Sequence, residues 1–336
     1  MKKRIVKFFK YLKKHICGIN KTIMYVRRNT DHLYAYILLD IIRCYIVYGS
    51  NYNEYRIYEF FLIDKALEST YLTSSVHKSL LKYLYKKKSI SYLSDRREFY
   101  KKYDKYLNRD VCYSKNLSFK QLEELISSKK IVTCKSSNMK ENTTEILNLD
   151  NFRSPAFLLD YANKNNIPVL EETVSQHKDI EKINPNNINV LSITTLKNGE
   201  SVEVISCVMK FGTSTSFEYD YKKSNYINCH VDLKTGIIKH KSRNRYGDIV
   251  TYHPVSREKL INIEIPLFDK AVNTAIKCAK ETDDILEVEW NFMISSKKVL
   301  LLSANKWQDY TFAQIPEYLN RRVGLKPIYI DKIKKL

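Results

Sequence analysis

The stretch KVLLLSANKW, residues 298–307, is an apolar run that ends abruptly in polar residues. Residues 299–302 predict a buried strand, and Ser303 and Asn305 follow it directly. In open sheets, the polar groups just beyond the end of a strand are where ligands usually bind. These two side chains are therefore the first candidates for a functional site, although neither is an acid.

The segment ILEVEWNFMIS, which begins at Ile285, predicts the strand before it. Side chains alternate along a strand, so Glu287, Glu289 and Asn291 share one face. Residues 296–298 predict a tight connection between the two strands, which then form a hairpin. The first strand of this hairpin therefore carries acids, which are absent from the end of the second strand.

Two kinds of site are excluded by the residues present. The seven glycines are scattered, with no two within ten residues of each other, so the chain contains neither a P-loop nor a GxGxxG turn. The seven cysteines form no CxxC pair and no two histidines have zinc-ligand spacing, so no zinc site is expected. Scattered cysteines of this kind are typical of buried, reduced thiols in a cytosolic protein.

The net charge of +20 is concentrated at the two ends of the chain. Residues 1–30 contain ten Lys or Arg and no acid, and residues 321–336 contain six basic residues and one acid. Helical spacing places one set of apolar residues on a single face, opposite the lysines: Ile5, Phe8, Phe9, Leu12, Ile16 and Ile19. We interpret residues 1–20 either as a helix on an anionic membrane surface or as a helix packed on the protein.

The expected location is cytoplasmic, with attachment to the inner face of the membrane as the alternative. The longest apolar stretch, which begins at Tyr34, is interrupted by Asp40 and Arg43 and is too short to span a bilayer. No secretory signal follows the basic start. The 26 tyrosines and many lysines are the composition of an AT-rich gene, so nucleic acid is not an expected partner.

The elements that would position these residues change in type along the chain. The first 110 residues have mostly helical periodicity, whereas strands prevail from about residue 131, with Asn198-Gly199 as a strong hairpin signal. The predicted fold class is α+β, a helical N-terminal region followed by a mostly antiparallel sheet. The predicted domains are a helical region at 1–115, a body at 116–320 and a basic tail at 321–336.

A series of short motifs then follows in a recognisable order. They are LLDIIRCYIVYGSNYNEYRIYEF (38–60), SDRREF, YLNRD, Lys135, EETVSQH (171–177), INPNNIN (183–189), a DxxTG element (232–236), His253-Pro254 and Ile265-Pro266. No single motif is specific, but their order and spacing resemble the sugar-transfer associated ATP-grasp proteins, which occur with bacterial capsule and surface-polysaccharide genes. The resemblance covers nearly the whole chain and implies an ATP-grasp-like body.

This resemblance implies an ATP-dependent ligase that forms an acyl phosphate from a carboxylate and passes it to an amine or another nucleophile. It implies ATP and Mg²⁺ as cofactors, and a carboxylate donor and a sugar or polysaccharide precursor as partners. It also assigns roles to individual residues. They are ATP contacts at Lys135, Lys140, Glu171, Glu172 and Asn189, catalytic groups at Lys210 and His253, and metal ligands at Asn291, Ser303 and Asn305. For His253, the residues themselves favour a structural role in which the ring bonds a backbone carbonyl in a turn.

The chain departs from the family pattern at these metal positions. Asn291 and Ser303 stand where the family has carboxylates, and only Asn305 matches. Amide and hydroxyl groups are weak ligands for Mg²⁺, so the resemblance implies a degenerate site. Glu287 or Glu289, and Asp309, are the candidates to replace a lost carboxylate.

The phosphate-binding parts depart as well. Lys210 and Ser192 stand where the family has arginines, and residues 136–145 lack the glycines of the family's lid. Three hypotheses follow: an ATP-dependent ligase of surface-polysaccharide assembly, a catalytically inactive protein of the same fold that acts as a scaffold or partner, and a basic protein that binds a membrane surface or nucleic acid. Metal-site carboxylates distinguish the first from the second.

Overall fold

The structure is a computed structural model. It describes residues 2–84, 91–93, 95–113, 123, 131–135, 144–148, 151–152, 154–165, 167–215, 225–282, 287–305 and 310–334. The chain divides into two compact units, of which unit 1 is Met1–Lys87, Arg243–Ile249 and Asp309–Leu336 and unit 2 is Lys88–Ser242 and Val250–Gln308. The domain boundaries expected at residues 115 and 320 stay predictions.

The described residues form eleven α-helices. They are α1 (Lys2–Asn29), α2 (Tyr34–Tyr48), α3 (Tyr52–Ile57), α4 (Lys65–Glu68), α5 (Ser74–Leu84), α6 (Arg96–Lys102), α7 (Asp104–Leu107), α8 (Pro155–Lys164), α9 (Lys178–Glu181), α10 (Phe268–Lys280) and α11 (Lys326–Lys334). Within these residues, no helix is both long enough and apolar enough to cross a membrane.

Thirteen strands lie in the same described residues. They are β1 (Val111–Tyr113), β2 (Ile131–Lys135), β3 (Thr144–Asn148), β4 (Val169–Glu172), β5 (Val190–Asn198), β6 (Ser201–Gly212), β7 (Tyr226–His230), β8 (Ile237–Ile238), β9 (Ser242–Asn244), β10 (Ile249–Val250), β11 (Ile263–Glu264), β12 (Glu287–Ile294) and β13 (Val299–Asn305). Helices precede an antiparallel sheet body, which confirms the predicted α+β class.

Unit 1 is built around the apolar stripes of its first two helices. Ile19 and Ile23 of α1 pack with Ile37 and Ile41 of α2 in one buried cluster, as their helical spacing requires. The single apolar face predicted for residues 1–20 does not extend unbroken along the described part of α1. The helix kinks at His15, and Ile16 is 56% exposed. The side chains of residues 1–12 and 14 lie outside those described.

A small antiparallel sheet of unit 2 has the strand order β1-β4-β2-β3. Thr133 of β2 lies opposite Glu171 of β4, and Lys135 lies opposite Val169. Because alternate residues of a strand share a face, Lys135 and Glu171 project from the same side of this sheet. Buried Cys134 and Leu170 face the other way, into a cluster with Leu158.

The larger sheet of unit 2 contains the run β7-β6-β5-β12-β13. Both hairpins predicted from the sequence are present, β5 with β6 and β12 with β13. The first turns at Gly199, whose φ of +56° is a conformation that glycine adopts without strain. Helix α10 lies against this sheet and buries Ala271, Ala275 and Cys278.

The seven cysteines are all free. Cys17 is exposed and Cys112 is partly buried, while the other five are buried. The prediction of buried thiols agrees with these five, which serve as small apolar side chains, and is wrong for Cys17.

Candidate functional site

The first candidate site is an ion pair on the small sheet of unit 2. Lys135, the last residue of β2, donates from Nζ to Oε2 of Glu171 on β4 at 2.8 Å. Lys135 is only 7% exposed and Glu171 only 1%. Buried charges of this kind are retained when they are paired and hydrogen-bonded, and both conditions hold for this carboxylate.

Glu171 is enclosed by a cage of basic and phenolic groups. Arg109 donates from Nε to its Oε2 at 2.6 Å, and the Tyr100 hydroxyl donates to its Oε1 at 2.5 Å. Arg96 lies 3.9 Å from Oε1. Burial alone would raise the pKa of Glu171, but the charges of Arg109, Lys135 and Arg96 outweigh it and hold that pKa well below its usual range. Glu171 is therefore ionised at neutral pH.

The two cations that share Oε2 of Glu171 differ in their remaining contacts. Arg109 also donates to the carbonyl oxygens of Leu107 and Leu301 and to Tyr100, so its guanidinium is well satisfied. Among the described residues, the hydrogen-bond partner of Lys135 Nζ is Glu171. An ammonium has three donors, so this lysine can accept a further anion without leaving the carboxylate.

The other residues expected to contact ATP are dispersed. The half-buried Glu172 accepts a hydrogen bond from the backbone nitrogen of Asp110 at 3.2 Å. Asn189 is buried and donates from Nδ2 to the carbonyl oxygens of Ile180 and Asn184, while its Oδ1 has no hydrogen-bond partner among the described residues. Lys140 lies outside the described residues.

The positions of the expected metal ligands meet on adjacent strands of the larger sheet. Asn291 of β12 lies opposite Ser192 of β5 on one side and Ser303 of β13 on the other. Ser192 donates from Oγ to Asn291 Oδ1 at 2.6 Å, and Asn291 donates from Nδ2 to Ser303 Oγ at 3.3 Å. All three residues are buried. They form a neutral chain of hydrogen bonds across three strands.

Glu289 lies one step along the same face of β12, as the alternation of side chains predicts. It lies opposite Asn305 of β13, whose Nδ2 donates to Glu289 Oε1 at 3.0 Å. Lys210 of β6 donates from Nζ to the same oxygen at 3.3 Å. The structure thus brings Lys210, Glu289 and Asn305 together, next to the chain formed by Ser192, Asn291 and Ser303.

A Mg²⁺ ion does not fit the groups at these positions. Mg²⁺ requires hard oxygen ligands and is usually held by one or two carboxylates. Asn291 and Ser303 supply none, and their polar atoms already bond to one another. Among the described residues, Glu289 is the carboxylate that contacts Asn305. It is already paired with the ammonium group of Lys210. Glu287, at the start of β12, is completely buried, and Asp309 lies outside the described residues.

His253, the second residue expected to be catalytic, is completely buried in unit 2. Its Nε2 lies 2.7 Å from the carbonyl oxygen of Gly212, and its Nδ1 lies 3.3 Å from the backbone nitrogen of Ser256. With Nδ1 accepting, Nε2 carries the proton and donates to Gly212. Burial lowers the pKa of His253, and the bond to Gly212 only partly opposes this. The ring is a neutral link between two backbone segments.

One cluster in the described residues has metal-ligand chemistry and belongs to unit 1. Asp40, Cys44 and Glu68 place a ligand atom each within 4.8 Å of one another. Arg43 already neutralises both carboxylates, with contacts of 2.7 Å to Asp40 and 2.6 Å to Glu68. A guanidinium at the centre of the cluster supplies the positive charge that a metal would bring, so we do not assign an ion there.

Three residues of the cage around Glu171 received no role from the sequence. Arg96 lies in SDRREF and Arg109 in YLNRD, two motifs recognised there only by their order, and Tyr100 follows the first of them. The signal was therefore present as two arginine-containing motifs upstream of the Glu171 strand. The sequence does not show, however, that helix α6 and the start of β1 lie next to β4 in the fold.

Comparison with known proteins identifies the family. Residues 126–326, more than half of the chain, match the family described as "sugar-transfer associated ATP-grasp". No curated protein sequence matches.

Three of the solved structures that the chain matches are ligases or synthases of low sequence identity. N5-carboxyaminoimidazole synthase from Aspergillus clavatus, in complex with ADP and 5-aminoimidazole ribonucleotide, is 11% identical, with a TM-score of 0.42, over 72% of this chain and 52% of that one. The ATP-grasp ligase PsnB, complexed with a minimal precursor, is 10% identical, with a TM-score of 0.41, over 73% and 62%. L-amino acid ligase from Bacillus licheniformis is 11% identical, with a TM-score of 0.38, over 73% and 50%.

The chain therefore spans between about half and three fifths of the length of these solved structures. The family assignment follows from the match over residues 126–326, which agrees with the motifs recognised in the sequence. This chain belongs to the sugar-transfer associated ATP-grasp family.

Proposed function

We propose that this protein binds a nucleoside triphosphate beside the small sheet of unit 2 but has lost phosphoryl transfer, and that it serves sugar transfer as a scaffold or partner. The observation that carries this proposal is the neutral chain Ser192–Asn291–Ser303 at the metal positions. Phosphoryl transfer in ATP-dependent ligases depends on metal charge that neutralises the triphosphate. Here the positions that would hold that charge bond to each other.

Nucleotide binding is supported by Lys135. Its ammonium is held at a strand end by Glu171 and retains free donor capacity, as a phosphate contact requires. Arg109 also pairs with Glu171, at 2.6 Å, so this carboxylate has a second counter-ion besides Lys135. A phosphate can therefore bind Lys135 without leaving a buried charge unpaired.

The loss of turnover follows from the number of missing charges. Removal of one electrostatic contact to a transition state commonly costs about 3–4 kcal/mol, or 10²–10³-fold in rate. Two carboxylate positions are neutral in this chain, at Asn291 and Ser303. Their combined effect would be a loss of roughly 10⁴–10⁶-fold relative to an intact site of the family.

The test is calorimetric titration of the full chain with ATP, in Mg²⁺ and in EDTA. We expect binding in both, at similar affinity, and at least tenfold weaker binding by Lys135→Met. The matched control is Lys259→Met, which removes an exposed lysine of the same unit. Binding that requires Mg²⁺, or an unchanged affinity in Lys135→Met, contradicts the proposal.

A second function, an active carboxylate ligase, is favoured by one observation. Glu289 lies beside the retained Asn305, with 3.0 Å between Oε1 and Nδ2, so one acid remains near the metal positions. If Lys210 releases Glu289 when nucleotide binds, this acid becomes a metal ligand. Mg²⁺-dependent release of phosphate from ATP that Glu289→Gln abolishes, and that Glu264→Gln at an exposed acid of the same unit preserves, would establish it.

The role in sugar transfer rests on the family's association. It makes a sugar or polysaccharide precursor the expected acceptor and a carboxylate the expected donor. The seven free cysteines support a cytosolic location, where thiols stay reduced. Thermal-shift measurements with nucleotide sugars, in the presence and absence of ATP, test the acceptor class, and no shift with any of them would count against it.

A further inference from the structure

Unit 1 carries most of the positive charge of the protein. Its 122 residues include 25 Lys or Arg and 10 Asp or Glu, a net +15 of the +20 of the chain. Unit 2, with 214 residues, has 32 basic and 27 acidic residues and a net +5. Because the two basic ends of the chain both belong to unit 1, charges that are far apart in sequence are collected in one unit.

Half of the ten acids of unit 1 form ion pairs with arginines of the same unit. Asp40 and Glu68 are paired with Arg43, and Glu59 is paired with Arg243. In contrast, four exposed basic residues of α1 take part in no ion pair among the described residues: Lys13, Lys21, Arg27 and Arg28. Their charge is therefore available to an external anion.

Helix α2 is apolar on its outer side as well as its inner side. Ile37, Ile41 and Cys44 are buried, whereas a second stripe with helical spacing faces solvent. Leu39 is 65% exposed in that stripe, and Tyr36 and Val47 are about half exposed. Leu33, at the N-cap, is 75% exposed. Isolated exposed apolar residues are ordinary, but a run of them along one helix indicates a binding surface.

The exposed faces of α1 and the start of α2 are joined by a side-chain contact. The Tyr34 hydroxyl donates to Asn20 Oδ1. Asn20 lies one helical turn from Ile16 and from Met24, two further exposed apolar residues. We call this surface the α1–α2 patch and define it as the exposed apolar residues Ile16, Met24, Leu33, Tyr34, Tyr36 and Leu39 with the basic residues Lys13, Lys21, Arg27 and Arg28.

We infer that the α1–α2 patch binds an anionic lipid bilayer surface. Apolar and tyrosine side chains of an interfacial helix enter the boundary between headgroups and acyl chains, and neighbouring Lys and Arg contact anionic headgroups. A second copy of the chain fits this surface poorly, because the two copies of unit 1, each with a net charge of +15, would repel each other. The inference concerns unit 1 only and does not depend on nucleotide binding by unit 2.

The test is flotation of the full chain with vesicles of phosphatidylcholine and phosphatidylglycerol in a 3:1 ratio, against vesicles of phosphatidylcholine alone. We expect binding to the anionic vesicles only, and its loss in high salt. Arg27→Gln with Arg28→Gln should weaken binding about 25-fold, since each basic side chain near a surface contributes about fivefold. Leu33→Ser with Leu39→Ser should weaken it by at least tenfold.

Two control variants make the test specific. Lys259→Gln with Lys277→Gln removes two exposed charges from unit 2, and Phe157→Ser removes an exposed apolar side chain there. Both should bind as wild type does. The leucine variant should stay folded, because Leu33 and Leu39 are exposed and serine is a favourable N-cap residue. Equal binding to both kinds of vesicle, unchanged binding by the α1 variant, or self-association that Leu39→Ser abolishes would overturn the inference.

Discussion

Replacement of Glu171 by glutamine tests the central electrostatic argument about unit 2. Glu171 is the carboxylate to which Lys135 and Arg109 are paired, by contacts of 2.8 and 2.6 Å. Glutamine keeps the size of the side chain and removes its charge. The two cations then remain in a buried position without their counter-ion, while Arg109 keeps its bonds to the carbonyl oxygens of Leu107 and Leu301.

The expected cost follows from burial. Removing one partner of a buried ion pair typically destabilises a protein by about 3–5 kcal/mol, because an uncompensated charge is left behind. The Arg109 side chain is 3% exposed and the Lys135 side chain 9% exposed, so the cluster belongs to that class. For the 214 residues of unit 2, a loss of about 4 kcal/mol lowers the melting temperature by roughly 8–16 °C.

Tryptophan fluorescence is a suitable assay because Trp290 and Trp307 both belong to unit 2. The matched control is Glu172→Gln, the same change at the half-buried neighbour, which should cost less than about 1 kcal/mol. Since the pKa of Glu171 is lowered in the folded state, its stabilising effect is present above the usual carboxylate pKa of 4.5 and declines as the pH falls below it. The difference between wild type and Glu171→Gln should therefore narrow below that pH. A Glu171→Gln variant within 1 kcal/mol of wild type at pH 7 would refute the reasoning.

Three further predictions concern other parts of the chain. Burial raises the pKa of Glu54 to about 7, so the stability of unit 1 should decline by about 3 kcal/mol as the pH rises from about 4.5 through about 7. Urea unfolding followed by circular dichroism should show this slope in wild type and not in Glu54→Gln, and equal slopes would contradict it. Asn291→Asp with Ser303→Glu restores two carboxylates, so the variant should be less stable in EDTA and gain several degrees in melting temperature with Mg²⁺; no Mg²⁺-dependent shift would mean that these strands do not face a metal position. Cys17 is the exposed cysteine among the seven, so a thiol reagent should modify one group rapidly, and Cys17→Ser should remove that fast phase.

Local patterns predicted the strands well because strand alternation and turn chemistry are short-range properties. Asn198-Gly199 predicted the β5–β6 hairpin, which turns at Gly199 and Glu200. The helical periodicity of the first 110 residues is interrupted in the structure, because α3 ends at Ile57 and α4 begins only at Lys65. Phe60 and Ile63 are buried with Tyr55 and Tyr58, and one straight helix cannot turn all four to one side. Glu59, with a φ of +52°, redirects the chain instead.

The candidate site was harder to predict because its contacts depend on strand order. Alternation alone placed Glu289 and Asn291 on one face of a strand. That Lys210 reaches Glu289 across β5, however, requires the non-sequential order β6-β5-β12. The cage likewise joins to Glu171 residues that lie between 36 positions (Lys135) and 75 positions (Arg96) before it in the chain. Periodicity carries no information about such separations.

Unit 1 combines residues from both ends of the sequence, and this limits the order in which the chain can fold during synthesis. Gln314 bonds through its amide to the backbone of Leu72 and to the Tyr58 hydroxyl, and Gly324 lies against the backbone of Thr70 and Tyr71. These contacts close the core of the first helices, yet the ribosome reaches Gln314 only 242 residues after Leu72. Part of the apolar surface of the N-terminal helices therefore stays uncovered until Gln314 and Gly324 have been synthesised. Chaperone occupancy of the nascent chain should accordingly persist over the synthesis of all of unit 2 and end when Gln314 and Gly324 emerge.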